Sequence, residues 1–165
     1  MSLDRSKTYL ATMETSCGTI RLRLYDDRSP ITVNSFVFLA RHHFFDGQFF
    51  HRVANSIDVI QAGDPTGTGT GGPGYSIPDE LKNGLKFRVG TLAMANAGPN
   101  TGGSQFFIIT GPKGLSLPSN YTIFGQVAKG LRVARRIQNV PVGGTSGETP
   151  LQKVYIDSVT ITTKR

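Results

Sequence analysis

Twenty glycines spread over 165 residues cut this chain into short apolar runs, and that spacing most limits what it can fold into. Short apolar runs bounded by glycine or proline suit strands and leave little room for helices. They fall at Asp58–Ala62, Gly90–Ala95, Gln105–Thr110, Thr122–Val127 and Val154–Thr162. Upstream, Thr19–Tyr25 alternates strictly, with Ile20, Leu22 and Leu24 apolar and Arg21 and Arg23 charged, which predicts a half-buried strand. Tyr9–Thr15 is also strand-like, and Ser16-Cys17-Gly18 supplies the turn of a hairpin. Only two segments carry helical spacing. Ser29-Pro30 places a capping serine before a proline at the first helical position, and Val33, Phe36, Val37 and Ala40 then share a face. Gly130–Gln138 is the second, with Leu131, Ala134 and Ile137 in register. Many short strands, glycine-rich turns and two helices predict a mainly β chain forming a closed or nearly closed barrel.

A chain of this length reads as a single domain over residues 1–165, with residues 1–7 as a flexible leader. The one cysteine, Cys17, excludes an intrachain disulfide and is expected to serve as a small buried hydrophobe. The start is polar and no stretch reaches the roughly 20 apolar residues of a membrane span, so a soluble, cytoplasmic chain without membrane contact is expected. The same residues also suit a domain of a longer, anchored protein. Net charge is +7, but the basic residues are scattered. Their densest group, Lys129, Arg132, Arg135 and Arg136, has the spacing of a solvated helix face. A nucleic-acid partner is therefore the weaker reading of this charge.

Several motifs dissolve on inspection. Gly67-Thr68-Gly69-Thr70-Gly71-Gly72 matches a dinucleotide fingerprint in form, but Pro73 and Gly74 follow where a helix must begin. A structural or substrate-facing loop fits better. His42, His43 and His51 lack the spacing of a helical metal pair and have no cysteine cluster beside them, so neither metal nor other cofactor is implied. Three segments carry more information: Phe50-His51-Arg52-Val53 with Gln61-Ala62-Gly63-Asp64, then Met94–Thr101, then Gly103–Ile108. Each sets a polar residue in or beside an apolar strand. Arg52, Gln61, Asn96 and Gln105 would be costly there without partners. Two readings stand: a satisfied polar network in a barrel wall, or a groove that binds a peptide backbone.

FHRV, QAGDPTGTGTGGPGY, MANAGPNTGGSQFFI and IFGQV stand in the order and spacing of the cyclophilin family of prolyl isomerases, and the resemblance covers nearly the whole chain. It implies an eight-stranded antiparallel β-barrel capped by two α-helices. It also implies a rotamase that assists protein folding by rotating X–Pro bonds, with proline-containing peptides and unfolded proteins as partners and a monomeric state. By resemblance, Arg52 donates to the proline nitrogen, Gln61 positions it, and Asn96 holds the substrate backbone through main-chain groups. Phe107 would floor the proline pocket, with Ile57, Val59, Leu117 and Tyr121 around it. Gly69, Ala95, Ala97 and Gln105 would line the adjoining groove.

Two stretches depart from the family. Ala54–Gln61 is one residue longer and lacks the usual pocket phenylalanine, so either Ile57 or Asp58 falls there. A carboxylate at that point would compete for Arg52. Gly114–Tyr121 lacks the family's tryptophan, and the chain has none anywhere. That removes an indole donor which relatives use for cyclosporin, so weak cyclosporin binding is expected. The alternative function is a proline-peptide scaffold with low turnover.

Overall fold

Alternation dominates the first hairpin. The computed structural model describes residues 3–165. In it β1 (Thr8–Thr15) pairs with β2 (Gly18–Leu24), and Ala11, Met13, Ile20, Leu22 and Leu24 all point inward and are buried. The remaining main-sheet strands are β3 (Arg52–Ala54), β4 (Val59–Ala62), β5 (Thr91–Met94), β6 (Phe106–Ile109), β7 (Ile123–Lys129) and β10 (Ile156–Lys164). A small separate hairpin joins β8 (Val142–Gly143) to β9 (Thr149–Pro150). The eight-stranded sheet runs β10-β1-β2-β7-β5-β6-β4-β3, every pair antiparallel. Its two edges meet through a short bridge rather than along whole strands. Phe49 pairs with Tyr155, flanked by Phe50 N–H to Val154 O (3.0 Å) and Ile156 N–H to Gln48 O (2.7 Å). The expected barrel is thus present, mainly β with eight antiparallel strands and two helices, and its seam is narrow.

The helices are α1 (Pro30–Arg41) and α2 (Leu131–Gln138). Val33, Phe36, Val37 and Ala40 of α1 are buried. The Phe36 ring meets Phe45, Phe106 and Phe124 at centroid distances of 5.0, 5.8 and 5.4 Å, which locks the helix to the barrel interior. Ala134 and Ile137 of α2 are buried, while Arg132, Arg135 and Arg136 are exposed. Arg135 Nε donates to Thr110 O, and Arg136 Nη1 to Cys17 O.

Two local expectations need correction. Ser29 stands at the N-cap of α1, but its hydroxyl donates to Ile123 O instead of accepting from the helix. Glu80 does the capping from a distant strap. Its carboxylate accepts from Ile31 N–H (3.1 Å), Thr32 N–H (2.9 Å) and the Thr32 hydroxyl (2.8 Å). A carboxylate there both satisfies orphan donors and meets the positive helix end. Replacing Glu80 with alanine is expected to lower stability by about 1 kcal/mol in urea unfolding. Cys17 is half-buried rather than buried, because it sits in the β1–β2 turn. Of the leader expected over residues 1–7, the first two lie outside the described residues. Within the rest, Asp4 N–H donates to the Tyr9 hydroxyl and the Asp4 carboxylate accepts from Ser6.

Candidate functional site

Strand register builds the site. Arg52 stands opposite Gln61, Gln61 opposite Phe107, and Phe107 opposite Ala93. Directly opposed residues share a sheet face, so these four form one row across β3, β4, β6 and β5. Their neighbours Val53, Ile60, Phe106 and Ile108 point the other way, into the barrel core. The outer face is also apolar: Ala54, Val59, Ala93, Phe107, Ile109 and Ile123 cluster there, with Ile57, Leu117 and Tyr121 packed against them. The edge of Phe107 meets Tyr121 at 5.3 Å and 90°.

A cavity of about 120 Å³ opens over this floor, lined by Arg52, Ile57, Val59, Gln61, Ala95, Asn96, Phe107, Leu117 and Tyr121. A groove of about 560 Å³ continues from it past Gly69, Ala97 and Gln105. All twelve residues singled out in the sequence therefore line one continuous surface. Asp58 does not join it. The turn that connects β3 and β4 puts Asp58 at φ 50°, and its carboxylate accepts from Lys113 N–H at 3.0 Å. The longer segment thus bulges at Asp58, and Ile57 faces the cavity.

The polar groups form one connected chain. Arg52 Nη1 donates to Gln61 Oε1 (3.2 Å), and Gln61 Nε2 to Gln105 Oε1 (3.0 Å). Gln105 Nε2 then donates to Gly69 O (3.0 Å) and Gly71 O (2.9 Å). Asn96 turns its side chain away, donating to Asn120 O and accepting from Gly98 N–H. Among the described residues its own main-chain N–H and C=O make no internal hydrogen bond. An extended peptide lying along Asn96 finds both groups open.

Residues 10–161 match the family described as cyclophilin type peptidyl-prolyl cis-trans isomerase/CLD. The chain belongs to the cyclophilin family. It is 42% identical over 149 residues to peptidyl-prolyl cis-trans isomerase CYP18-2 of Arabidopsis thaliana, covering 88% of each chain. It is 47% identical over 133 residues to peptidyl-prolyl cis-trans isomerase-like 1 of Neurospora crassa, covering 78% of this chain and 80% of the other. A cyclophilin type peptidyl-prolyl cis-trans isomerase of Cryptosporidium parvum, solved in the presence of the dipeptide Ala-Pro, superposes with a TM-score of 0.85 at 31% identity. That match covers 94% of this chain and 99% of the other.

Three features of this cyclophilin site escaped the sequence reading. The first is Glu148, between β8 and β9, whose Oε2 accepts from Arg52 Nε at 2.6 Å and Oε1 from Nη2 at 3.4 Å. The carboxylate beside Arg52 is thus Glu148, while Asp58, one of the two alternatives for the pocket position, lies elsewhere. The second is Asp64, only 1% exposed, which accepts from Thr66, Gly69 and Gly71 and shapes the glycine loop. Burial alone would push its carboxyl up, yet these donors outweigh burial and hold it at about 2. Gly69 has φ 91°, and a Cβ at Gly71 would collide with the Asp64 carboxylate, so the loop needs glycine at both points. The third is His51, whose ring nitrogens are buried with no partner among the described residues. Burial, helped by the Arg52 charge, holds it below the usual imidazole range, while Asp64 and the neighbouring Gln105 side chain pull more weakly the other way. Nothing in local periodicity marks Glu148, which lies 96 residues from its partner.

Proposed function

We propose that this cyclophilin rotates X–Pro peptide bonds, with a prolyl ring seated on Phe107 and an Arg52 N–H donated to the proline nitrogen. The observation that carries this is adjacency: the Arg52 side chain borders the same small apolar cavity that Phe107 floors. Amide resonance sets a rotation barrier of about 18–20 kcal/mol. In the twisted transition state the nitrogen regains a lone pair that the planar states lack. A donor aimed there stabilises the twisted state selectively, which is what lowers a barrier. Arginine suits the task because it stays protonated and carries fixed donors. Neither a covalent intermediate nor proton transfer is required.

The roles divide by position. Gln61 holds Nη1 of Arg52, the open main-chain groups of Asn96 pair with substrate, and Ile57, Val59, Leu117 and Tyr121 wall the ring. Ala95, Ala97, Gln105 and Gly69 take the flanking residues. The domain acts as a monomer on unfolded proteins in the cytoplasm, residues 1–165 forming the single isomerase unit. No described helix is long and apolar enough to cross a membrane. An exchange assay on an X–Pro peptide without a coupling protease tests the reading, and acceleration lost with Arg52→Ala supports it.

Glu148 favours a second reading. A guanidinium already paired with a carboxylate offers less field to the nitrogen, as a peptide-binding scaffold with low turnover would. Peptide binding without faster exchange would select that reading. Cyclosporin is expected to bind more weakly than to tryptophan-containing relatives, because Tyr121 and Leu117 supply apolar wall but no indole N–H. Calorimetric titration checks this, and an affinity equal to theirs would contradict it.

A further inference from the structure

We propose that Glu148 is a positioning residue, fixing the Arg52 guanidinium so that its Nη1–Nη2 end faces the reacting bond. The inference rests on the isomerase reading above and adds to it a residue from outside the prolyl cavity. Arginine has five N–H donors in one plane. Glu148 takes the side edge, Nε–H and one Nη2–H. Gln61 takes one Nη1–H. Two donors then remain, one on each terminal nitrogen.

Glu148 reaches Arg52 from behind. It lines a cleft of about 370 Å³ shared with His51, Gly67, Ser146 and Lys153, whereas Phe107 lines the cavity on the other side. Arg52 and Gln61 border both. The main chain holds Glu148 in place independently of its carboxylate. Val53 N–H donates to Glu148 O at 2.8 Å, right beside Arg52, and Glu148 N–H donates to Ser146 Oγ. The pair is partly shielded, with side-chain exposures of 38% for Arg52 and 26% for Glu148. A two-point carboxylate contact in such a setting fixes the plane of a guanidinium as well as its place.

The test separates positioning from packing. On-enzyme exchange and peptide affinity are measured by NMR for wild type, Glu148→Ala, Glu148→Gln, Arg52→Ala and the Arg52→Ala/Glu148→Ala double variant. Glu148→Ala is expected to slow exchange by about tenfold with peptide affinity nearly unchanged, the scale of one oriented charged hydrogen bond. Glu148→Gln, which keeps the acceptor oxygen, is expected to fall between it and wild type. In the Arg52→Ala background Glu148→Ala should cost nothing further. The Arg52 Nε–H resonance should move in Glu148→Ala, where its carboxylate acceptor is gone. If the alanine variant does not fold, the glutamine variant decides. Unchanged or faster exchange in Glu148→Ala overturns the proposal, as does an equal loss in both backgrounds. Absence of catalysis by the wild type would instead overturn the isomerase reading itself.

Discussion

Replacing Arg52 with alanine is expected to slow X–Pro rotation by about 10–100-fold while peptide still binds. A hydrogen bond from a charged donor is worth about 1.5–3 kcal/mol, and each 1.36 kcal/mol is tenfold in rate. Binding should survive because the prolyl ring would rest on Phe107, which is 4% exposed and braced edge-on by Tyr121. The loss should therefore appear in turnover rather than in affinity. Arg52→Lys is expected to recover only a small part. An ammonium is a single point charge and cannot hold Glu148 and Gln61 while presenting a third donor in the same plane. A loss confined to affinity would contradict this assignment.

Asp64→Ala is expected to destabilise the fold by about 1–3 kcal/mol, as leaving hydrogen-bond donors without their acceptor does. The carboxylate accepts from Thr66 N–H at 2.7 Å, the Thr66 hydroxyl at 2.7 Å, Gly69 N–H at 2.6 Å and Gly71 N–H at 3.1 Å. Without it, the backbone N–H groups of Thr66, Gly69 and Gly71 lose their acceptor. Activity should fall too, because Gly69 and Gly71 supply the carbonyls that hold Gln105, and Gln105 holds Gln61. The same group predicts a pH dependence. Its folded pKa of about 2 lies below the ordinary 3.8. Its contribution is therefore complete above about pH 4 and is lost as the pH falls towards 2, amounting to about 2 kcal/mol. Urea midpoints of wild type should drop across that window, and those of Asp64→Asn should drop less. Parallel curves for the two proteins would contradict the role given to Asp64.

What the sequence disclosed was local. Alternation in Ile20, Leu22 and Leu24 and the helical stripe of Val33, Phe36, Val37 and Ala40 follow from short-range geometry, and both appear where expected. The residues that line the candidate site were legible through motif resemblance. Their meeting was not, because Arg52, Gln61, Phe107 and Ala93 share a row only through strand register. Long-range polar contacts left no local mark. Glu80 caps a helix 48 residues upstream, and nothing in the Ser29-Pro30 signal reveals that the serine donates elsewhere. Glu148 lies in a stretch of glycine, serine and threonine with no periodicity to read. The choice between Ile57 and Asp58 needed the backbone as well, since the left-handed turn at Asp58 decides which side chain meets the cavity.

The most direct test is two-dimensional exchange NMR of a short X–Pro peptide with a small amount of wild-type protein. Uncatalysed interconversion takes tens to hundreds of seconds, too slow for exchange peaks on the mixing timescale. Strong cis–trans exchange peaks and an unchanged cis fraction are expected, since a catalyst speeds both directions equally. Peptide resonances that shift on binding while cis and trans still interconvert at the uncatalysed rate would contradict it.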